Sequence, residues 1–260
     1  MRDIKQYELA EREYANSIVG IRELVKKYNL DRGVFTGWLL AKGYKIENRR
    51  AMKSFNIHYF DKIDTEEKAY WLGFLFADGA ITQYNKSYDI ELSLNINDKE
   101  HVEKYAKAIG KNYVNNNSTY RSRCIVGSKH MFNTLASYGC TVKKSLTLKF
   151  PNESIFKDKT LIRHFIRGYF DGDGCVSFGN KDHTIPTVSI IGTKDFLNGI
   201  QLIYKSNKNL RNNNKNQNIT KVLKYSTNEA FTFIDWLYKD STIYLERKYN
   251  RYKEFCRLYE

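Results

Sequence analysis

Cysteine is scarce in this sequence, and none of it is paired. The four cysteines, Cys124, Cys140, Cys175 and Cys256, stand far apart. That spacing excludes the common zinc motifs and a disulfide framework, so free thiols in a reducing compartment are expected. Long apolar runs are missing as well, and none reaches the length of a membrane span. The first residues, Met1 to Glu8, lack the apolar stretch of a signal peptide. These absences predict a protein of the cytoplasm, the nucleoid or an organelle matrix, with no membrane partner. Acidic residues are also unevenly spread, with none between Phe196 and Asn228.

What is present points to a polyanion. The chain has 260 residues, enough for a substantial core, and carries a formal net charge of +14 with a pI near 9.4. Such an excess favours nucleic acid over a membrane surface. The acid-free stretch contains Lys205, Lys208, Arg211, Lys215, Lys221 and Lys224. It is the strongest local footprint for phosphate contact. Its asparagine-rich turn, Asn212 to Asn218, offers amides that can reach base edges.

The N-terminal 1–45 reads as helical. Ser17 can cap a helix with Ile21, Leu24, Val25 and Tyr28 on one side. After a turn at Asn29–Asp31, a second helix presents Val34, Phe35, Trp38 and Leu39 inward, and Gly43 ends it. The pair resembles a helix-turn-helix, which would turn Arg32, Thr36 and Lys42 toward DNA. Residues 46–62 form a basic linker, and Lys45, Arg49, Arg50 and Lys53 are placed to follow a phosphate backbone. Asp64-Thr65-Glu66-Glu67 then marks a helix start.

The rest of the chain is a duplication. Tyr70-Trp71-Leu72-Gly73-Phe74-Leu75-Phe76-Ala77-Asp78-Gly79 returns as Phe165-Ile166-Arg167-Gly168-Tyr169-Phe170-Asp171-Gly172-Asp173-Gly174. In each copy small residues four apart (Gly73 and Ala77; Gly168 and Gly172) share a helix face and permit close backbone approach. Each copy ends in an acid followed by glycine, which suits a left-handed helix stop. If the helices pair, Asp78 and Asp173 repel each other, and a hard divalent cation would relieve that repulsion. With each copy as the first helix, the pattern runs helix, two strands, helix, two strands, helix. In the first half the strands include Asp89–Ile96 and a pair near Tyr113 and Tyr120–Val126, where Arg121 and Arg123 share a face. In the second they lie near Cys175–Phe178, Thr187–Gly192 and 207–226. Duplication on this scale argues for two subdomains about a pseudo-twofold axis.

The paired motifs resemble the signature of the LAGLIDADG homing endonucleases, and the resemblance covers roughly residues 56–252. It departs from that signature where Phe76 stands at the earlier acid of the first copy, while the second copy keeps Asp171. The segments Gly139–Leu146 and Ile243–Tyr249 resemble the basic tails that close each half, with Lys144 and Lys248 at the lysine position. The resemblance implies an α+β fold of two αββαββα halves (63–150 and 151–260), with antiparallel saddle-shaped sheets lying on DNA. It implies a monomeric, site-specific endonuclease, intron-encoded or otherwise mobile, that breaks both strands of duplex DNA. Asp78 and Asp173 would hold Mg²⁺ (Mn²⁺ substituting), assisted by the carbonyls of Ala77 and Gly172. Lys144 and Lys248 would face the scissile phosphates. Asn95 would position water, although its counterpart Ile191 could not. A non-cleaving binder on the same scaffold, an intron RNA maturase or a transcription regulator, is the alternative, and RNA remains a possible ligand. The ends of the chain lack splice-junction residues, which argues against an intein.

Overall fold

The structure, a computed structural model, describes the chain apart from residues 1–3, 17–18, 45, 47–54, 113, 117–118, 180–181, 183, 214–219 and 260. It divides into two compact units, Met1–Phe55 and Asn56–Glu260.

The first unit is helical: α1 (Ile4–Asn16), α2 (Ile21–Lys27) and α3 (Arg32–Ala41). Tyr7, Ala10 and Tyr14 of α1 close over Leu24 of α2 and Phe35 and Leu39 of α3, which makes a separate small core. Asn29 in the turn takes a positive φ of 50°. Asp31 caps α3 by accepting from the Val34 N–H at 2.9 Å. Ser17, the expected cap of α2, lies outside the described residues, and Gly20 occupies that position without a side-chain bond.

The second unit is built on two helices, α4 (Glu66–Ala77) and α7 (Leu161–Asp173). Thr65 caps α4 by accepting from the Lys68 N–H at 3.2 Å, and Glu66 and Glu67 complement the helix dipole. Residues 69–76 of α4 are all buried, so this helix has no polar face. It packs on α7 through glycines used reciprocally. A Cβ on Gly73 would lie 1.9 Å from the Phe165 carbonyl oxygen, and one on Gly168 would lie 1.9 Å from the Tyr70 carbonyl oxygen. The small-residue spacing therefore sets the distance between the two backbones. The glycines after the acids instead permit close approach to the last turn of their own helix, contrary to the expected left-handed stop. Gly79 opens β1, and Gly174 is extended at φ −89°. A side chain at Gly79 would strike the Leu75 backbone, and one at Gly174 would strike Phe170.

Each motif helix leads into an antiparallel sheet. In the first half β1 (Gly79–Tyr84), β2 (Ser87–Asn95) and β3 (Arg121–Gly127) pair in the order β1-β2-β3. The expected partner strand around Tyr113 is represented only by a bridge from Asn115 to Arg123, and Tyr113 itself lies outside the described residues. In the second half β4 (Gly174–Phe178), β5 (Pro186–Thr193), β6 (Arg211–Asn212) and β7 (Thr220–Ser226) give the order β4-β5-β7-β6. One face of each sheet is apolar, for example Ile81, Ile90, Leu92, Cys124 and Val126 in the first. Helices α5 (Lys99–Ala108) and α6 (Lys129–Ser137) flank the first sheet; α8 (Lys194–Tyr204) and α9 (Asn228–Tyr238) flank the second. The second basic tail folds into a helix not foreseen from its sequence, α10 (Glu246–Cys256). No helix among the described residues is long and apolar enough to cross a membrane.

The departure at Phe76 has a packing counterpart. In the second half the fully buried Asp171 accepts hydrogen bonds from Tyr70 of α4 (2.6 Å), from Tyr238 and from the Leu245 N–H (2.7 Å). At the equivalent point of the first half Phe76 meets Phe165 edge-on, with ring centroids 5.1 Å apart. A carboxylate–phenol pair on one side thus becomes a phenyl–phenyl pair on the other. Arg167, also fully buried, spans the halves: it donates to Glu66 at 2.6 Å and to the carbonyls of Leu237 and Ile243.

Candidate active site

The two motif acids are carried to one place by the helix pair. Asp78 caps α4, and Asp173 is the last residue of α7. A Cβ on Gly172 would come within 3.2 Å of the Asp78 carboxylate, so the end of one helix abuts the acid of the other. Both acids reach solvent, yet partial desolvation by the surrounding protein favours the neutral form of each. It raises the Asp78 pKa even with Lys248, Lys144 and Arg247 nearby. Asp173 is pushed up to about 6, first by desolvation and then by the charge of Asp78. Two crowded carboxylates at adjoining helix ends, both reached by solvent, are an unbalanced negative site, which a hard divalent cation matches.

The expected tail lysines converge on the same point, but they are directed at the backbone. Lys144 donates to the carbonyl oxygens of Ala77 (3.3 Å) and Gly79. Lys248, on α10, donates to those of Phe170 (2.7 Å), Gly172 (3.2 Å) and Gly174 (2.6 Å). The two lysines therefore cap equivalent helix ends in the two halves. Both are buried, and burial lowers the Lys248 pKa to about 8. The carbonyls of Ala77 and Gly172, expected to assist a metal, accept from these lysines here. A cation at a helix C-terminus offsets the dipole that made the aspartates locally unfavourable.

These features have parallels in known proteins. Residues 160–235 match the LAGLIDADG-like domain family. The fold superimposes on the meganuclease I-SmaMI bound to uncleaveable DNA, with a TM-score of 0.51 and 10% identity, covering 74% of this chain and 90% of that one. The second half therefore carries a LAGLIDADG-like domain. I-AabMI bound to uncleaved DNA overlaps less closely, at a TM-score of 0.49 and 13% identity over 73% of this chain and 88% of that one. Among curated proteins, the DNA-directed RNA polymerase subunit Rpo1C of Methanocaldococcus jannaschii is 30% identical over 138 residues. That match takes in 52% of this chain and only 15% of the subunit's length.

The two sheets each leave one face uncovered. On the first, Arg121, Arg123 and Asn95 share that face with Ser93 and Glu91, because Asn95 pairs with Arg121 and Ser93 with Arg123. Glu91 lies 3.6 Å from Arg123. On the second, Lys224 pairs with Ser189, and Arg211 with Val222, which share the open face with Ile191. Lys221 has the opposite parity, that of the buried Leu223, and donates to Asn212 at 2.5 Å. Lys205 ends α8, and Lys208 pairs with Glu229 of α9 at 2.5 Å, so both sit on the helix side. The acid-free run is thus split between two faces by strand alternation, which its composition could not disclose. In the N-terminal unit Lys42 pairs with Glu11 at 3.1 Å, and the Thr36 hydroxyl donates to the Arg32 carbonyl. Lys45, Arg49, Arg50, Lys53 and Lys215 lie outside the described residues.

The strand register also corrects the counterpart of Asn95. Gly79 pairs with Leu92 and Gly174 with Ile190, so Ile191 matches Ser93, and Asn95 matches Thr193. Both are helix caps: Asn95 accepts from the Asn97 N–H at 3.0 Å and Thr193 from the Phe196 N–H at 3.1 Å. A cleft of about 720 Å³ runs from Asp78 and Gly172 past Asn95 and Arg121 to Glu91, Asp98 and Arg247. The last three were not singled out from sequence. Arg247 donates to Asp98 at 3.2 Å and so ties α10 of the second half to the first. Its position directly before Lys248 was the available signal.

Proposed function

We propose that this chain is a site-specific DNA endonuclease that breaks both strands of a duplex in a divalent-metal-dependent hydrolysis. The observation that carries this is the pair of crowded, solvent-reachable carboxylates, Asp78 and Asp173, where the two motif helices end. The donor set fits Mg²⁺, with Mn²⁺ as a substitute, because it is carboxylate oxygen with no nitrogen or sulfur. When bound, such an ion activates water and stabilises the leaving oxygen. Asp78 and Asp173 would hold it where the two halves meet. Lys144 and Lys248 keep positive charge beside the site where phosphate would lie, and the buried setting strengthens that field. The open sheet faces would lie along the DNA, with Arg121, Arg123, Arg211 and Lys224 as phosphate and base contacts. The meganuclease I-SmaMI is bound to DNA in its structure, which supports the same kind of partner here.

Incubating the full chain with a library of random duplexes and Mg²⁺, then sequencing the ends, tests the proposal. Cutting at one or a few sites is expected. Selective binding with no cut in either Mg²⁺ or Mn²⁺ would favour the non-cleaving reading.

The division of the basic run gives a sharper test. Arg211→Ala and Lys224→Ala should each reduce the log–log salt slope of DNA binding by about one unit. Lys205→Ala and Lys208→Ala should leave the slope unchanged. Equal losses for all four would show that the open face is not the DNA face.

The N-terminal unit is proposed to contact base pairs outside the central site through the α2–α3 pair. Deleting residues 1–45 should then shorten the protected footprint on one flank only, with turnover on saturating DNA retained. Footprinting in Ca²⁺ measures this, and equal footprints would reduce these helices to a packing role.

A further inference from the structure

Three side chains that can ligate a metal meet outside the site described above. His58 and Asp61 belong to the turn before α4, and His130 to the first turn of α6. His58 Nδ1 lies 2.7 Å from one Asp61 oxygen, and His130 Nε2 lies 2.6 Å from the other. The two imidazole centroids are 4.5 Å apart, and all the ligating atoms fall within 4.8 Å of one another.

The backbones that carry them are anchored. The His58 N–H donates to the Asn56 side chain at 3.0 Å, and the Asp61 N–H donates to the His58 carbonyl at 3.1 Å. Tyr59 and Phe60, between the two ligands, are buried. Tyr138, just past the far end of α6, donates to the Phe60 carbonyl at 3.0 Å. On α6 the neighbours of His130, Met131 and Phe132, are buried and fix the helix on its sheet. The three side chains remain exposed, so their rotamers can adjust while their Cα positions stay fixed. Zinc-class ions bind imidazole and carboxylate at about 2.0–2.2 Å, which sets tetrahedral ligands about 3.3–3.5 Å apart. Each histidine–aspartate gap would open by less than about 1 Å to reach that, and the open side leaves room for water.

We propose that His58, Asp61 and His130 bind one zinc-class divalent cation, at a site separate from Asp78 and Asp173, and that the ion clamps the 56–61 turn to α6. Two imidazoles with one carboxylate select zinc, cobalt or nickel over magnesium. The hydrogen bonds to Asp61 place a proton on His58 Nδ1 and on His130 Nε2. On metal binding each neutral ring shifts its proton to its other nitrogen, and each charged ring releases one to solvent. No electron transfer is involved.

The test is a Co²⁺ titration of the full chain in excess Mg²⁺, followed by visible absorption. The expected result is a band that saturates at one equivalent, is abolished by Zn²⁺ and persists in Mg²⁺. His130→Gln and His58→Gln, both exposed substitutions, should each weaken binding by at least about tenfold. Zn²⁺ should raise the melting temperature of the parent chain and not that of His130→Gln. No saturable band, or a band and a melting shift retained in both variants, would overturn the proposal.

Discussion

Asp78→Asn and Asp173→Asn are each expected to abolish double-strand cleavage while leaving DNA binding largely intact. Each variant keeps the shape of the helix end and removes a carboxylate that a hard cation requires. Stability should move the other way. Asp173 titrates near 6 in the fold against about 3.9 in an unfolded chain. The folded state therefore binds this proton more tightly than the unfolded state. Its contribution is most favourable below about pH 4, and it is lost as pH rises through about 6. Above that the ionised group destabilises the fold, by an amount that solvent screening of this exposed carboxylate reduces. Asp173→Asn should accordingly melt higher than the parent at pH 7.5, and the two should converge near pH 4. Mg²⁺ or Ca²⁺ should narrow the gap at high pH by stabilising the parent. Melting curves at both pH values, with and without Ca²⁺, measure this. A variant that unfolds where the parent is folded would assign the acid a structural role.

Gly73→Ala and Gly168→Ala are expected to cripple the fold. The added methyl would meet a carbonyl oxygen of the partner helix at 1.9 Å, and backbone cannot step aside as a side-chain tip can. The helix pair must then separate, which unpacks the buried surface on both helices and splays the two acids. Overpacking commonly costs about 1–3 kcal/mol, and a backbone clash at the centre of the fold belongs at or above the top of that range. For a unit of this size, that corresponds to a fall in melting temperature of about 10 °C. Cleavage should fall with it, because the positions of Asp78 and Asp173 depend on the crossing. Gly37→Ala in α3 is the control: its Cβ meets nothing within 4 Å, so a gain of up to about 1 kcal/mol is expected. Thermal denaturation of the three variants decides the matter. A mild effect at Gly73 would mean the helices can pack at a wider spacing.

The duplicated motif made the core of this architecture legible, because close helix packing and carboxylate crowding both follow from residue type and spacing. Strands β2, β3, β4 and β5 could be read from periodicity to within a residue or two, whereas β6 and β7 were legible only as a run over 207–226. What could not be read depended on register. Lys221 and Lys224 look equivalent in a basic run, yet strand alternation sends them to opposite faces. Asn95 was set against Ile191, whereas pairing sets it against Thr193. The lysines Lys144 and Lys248 were found as a repeated pair, but a sequence does not show that an ammonium will choose a carbonyl cage over solvent. The helical form of the second tail was hidden because Glu246–Cys256 is mostly polar, with Lys248, Tyr252 and Phe255 alone buried.

The buried contacts between the halves also make the two halves non-interchangeable. Asp171 takes a hydroxyl from Tyr70, and Arg167 takes a carboxylate from Glu66, and both donations cross from one half to the other. A self-pair of the second half would offer Phe165 and Leu161 at those points, which leaves a buried acid short of a donor and a buried guanidinium without its counter-charge. Removing one partner of such a pair costs about 3–5 kcal/mol, and a symmetric dimer would incur that twice. A self-pair of the first half would set Phe76 against the Tyr70 hydroxyl and Glu66 against Leu72. The duplicated chain has thus acquired a heterodimer's selectivity inside one polypeptide. Shuffling halves between such proteins would have to carry these two cross-half contacts along with the DNA-facing residues.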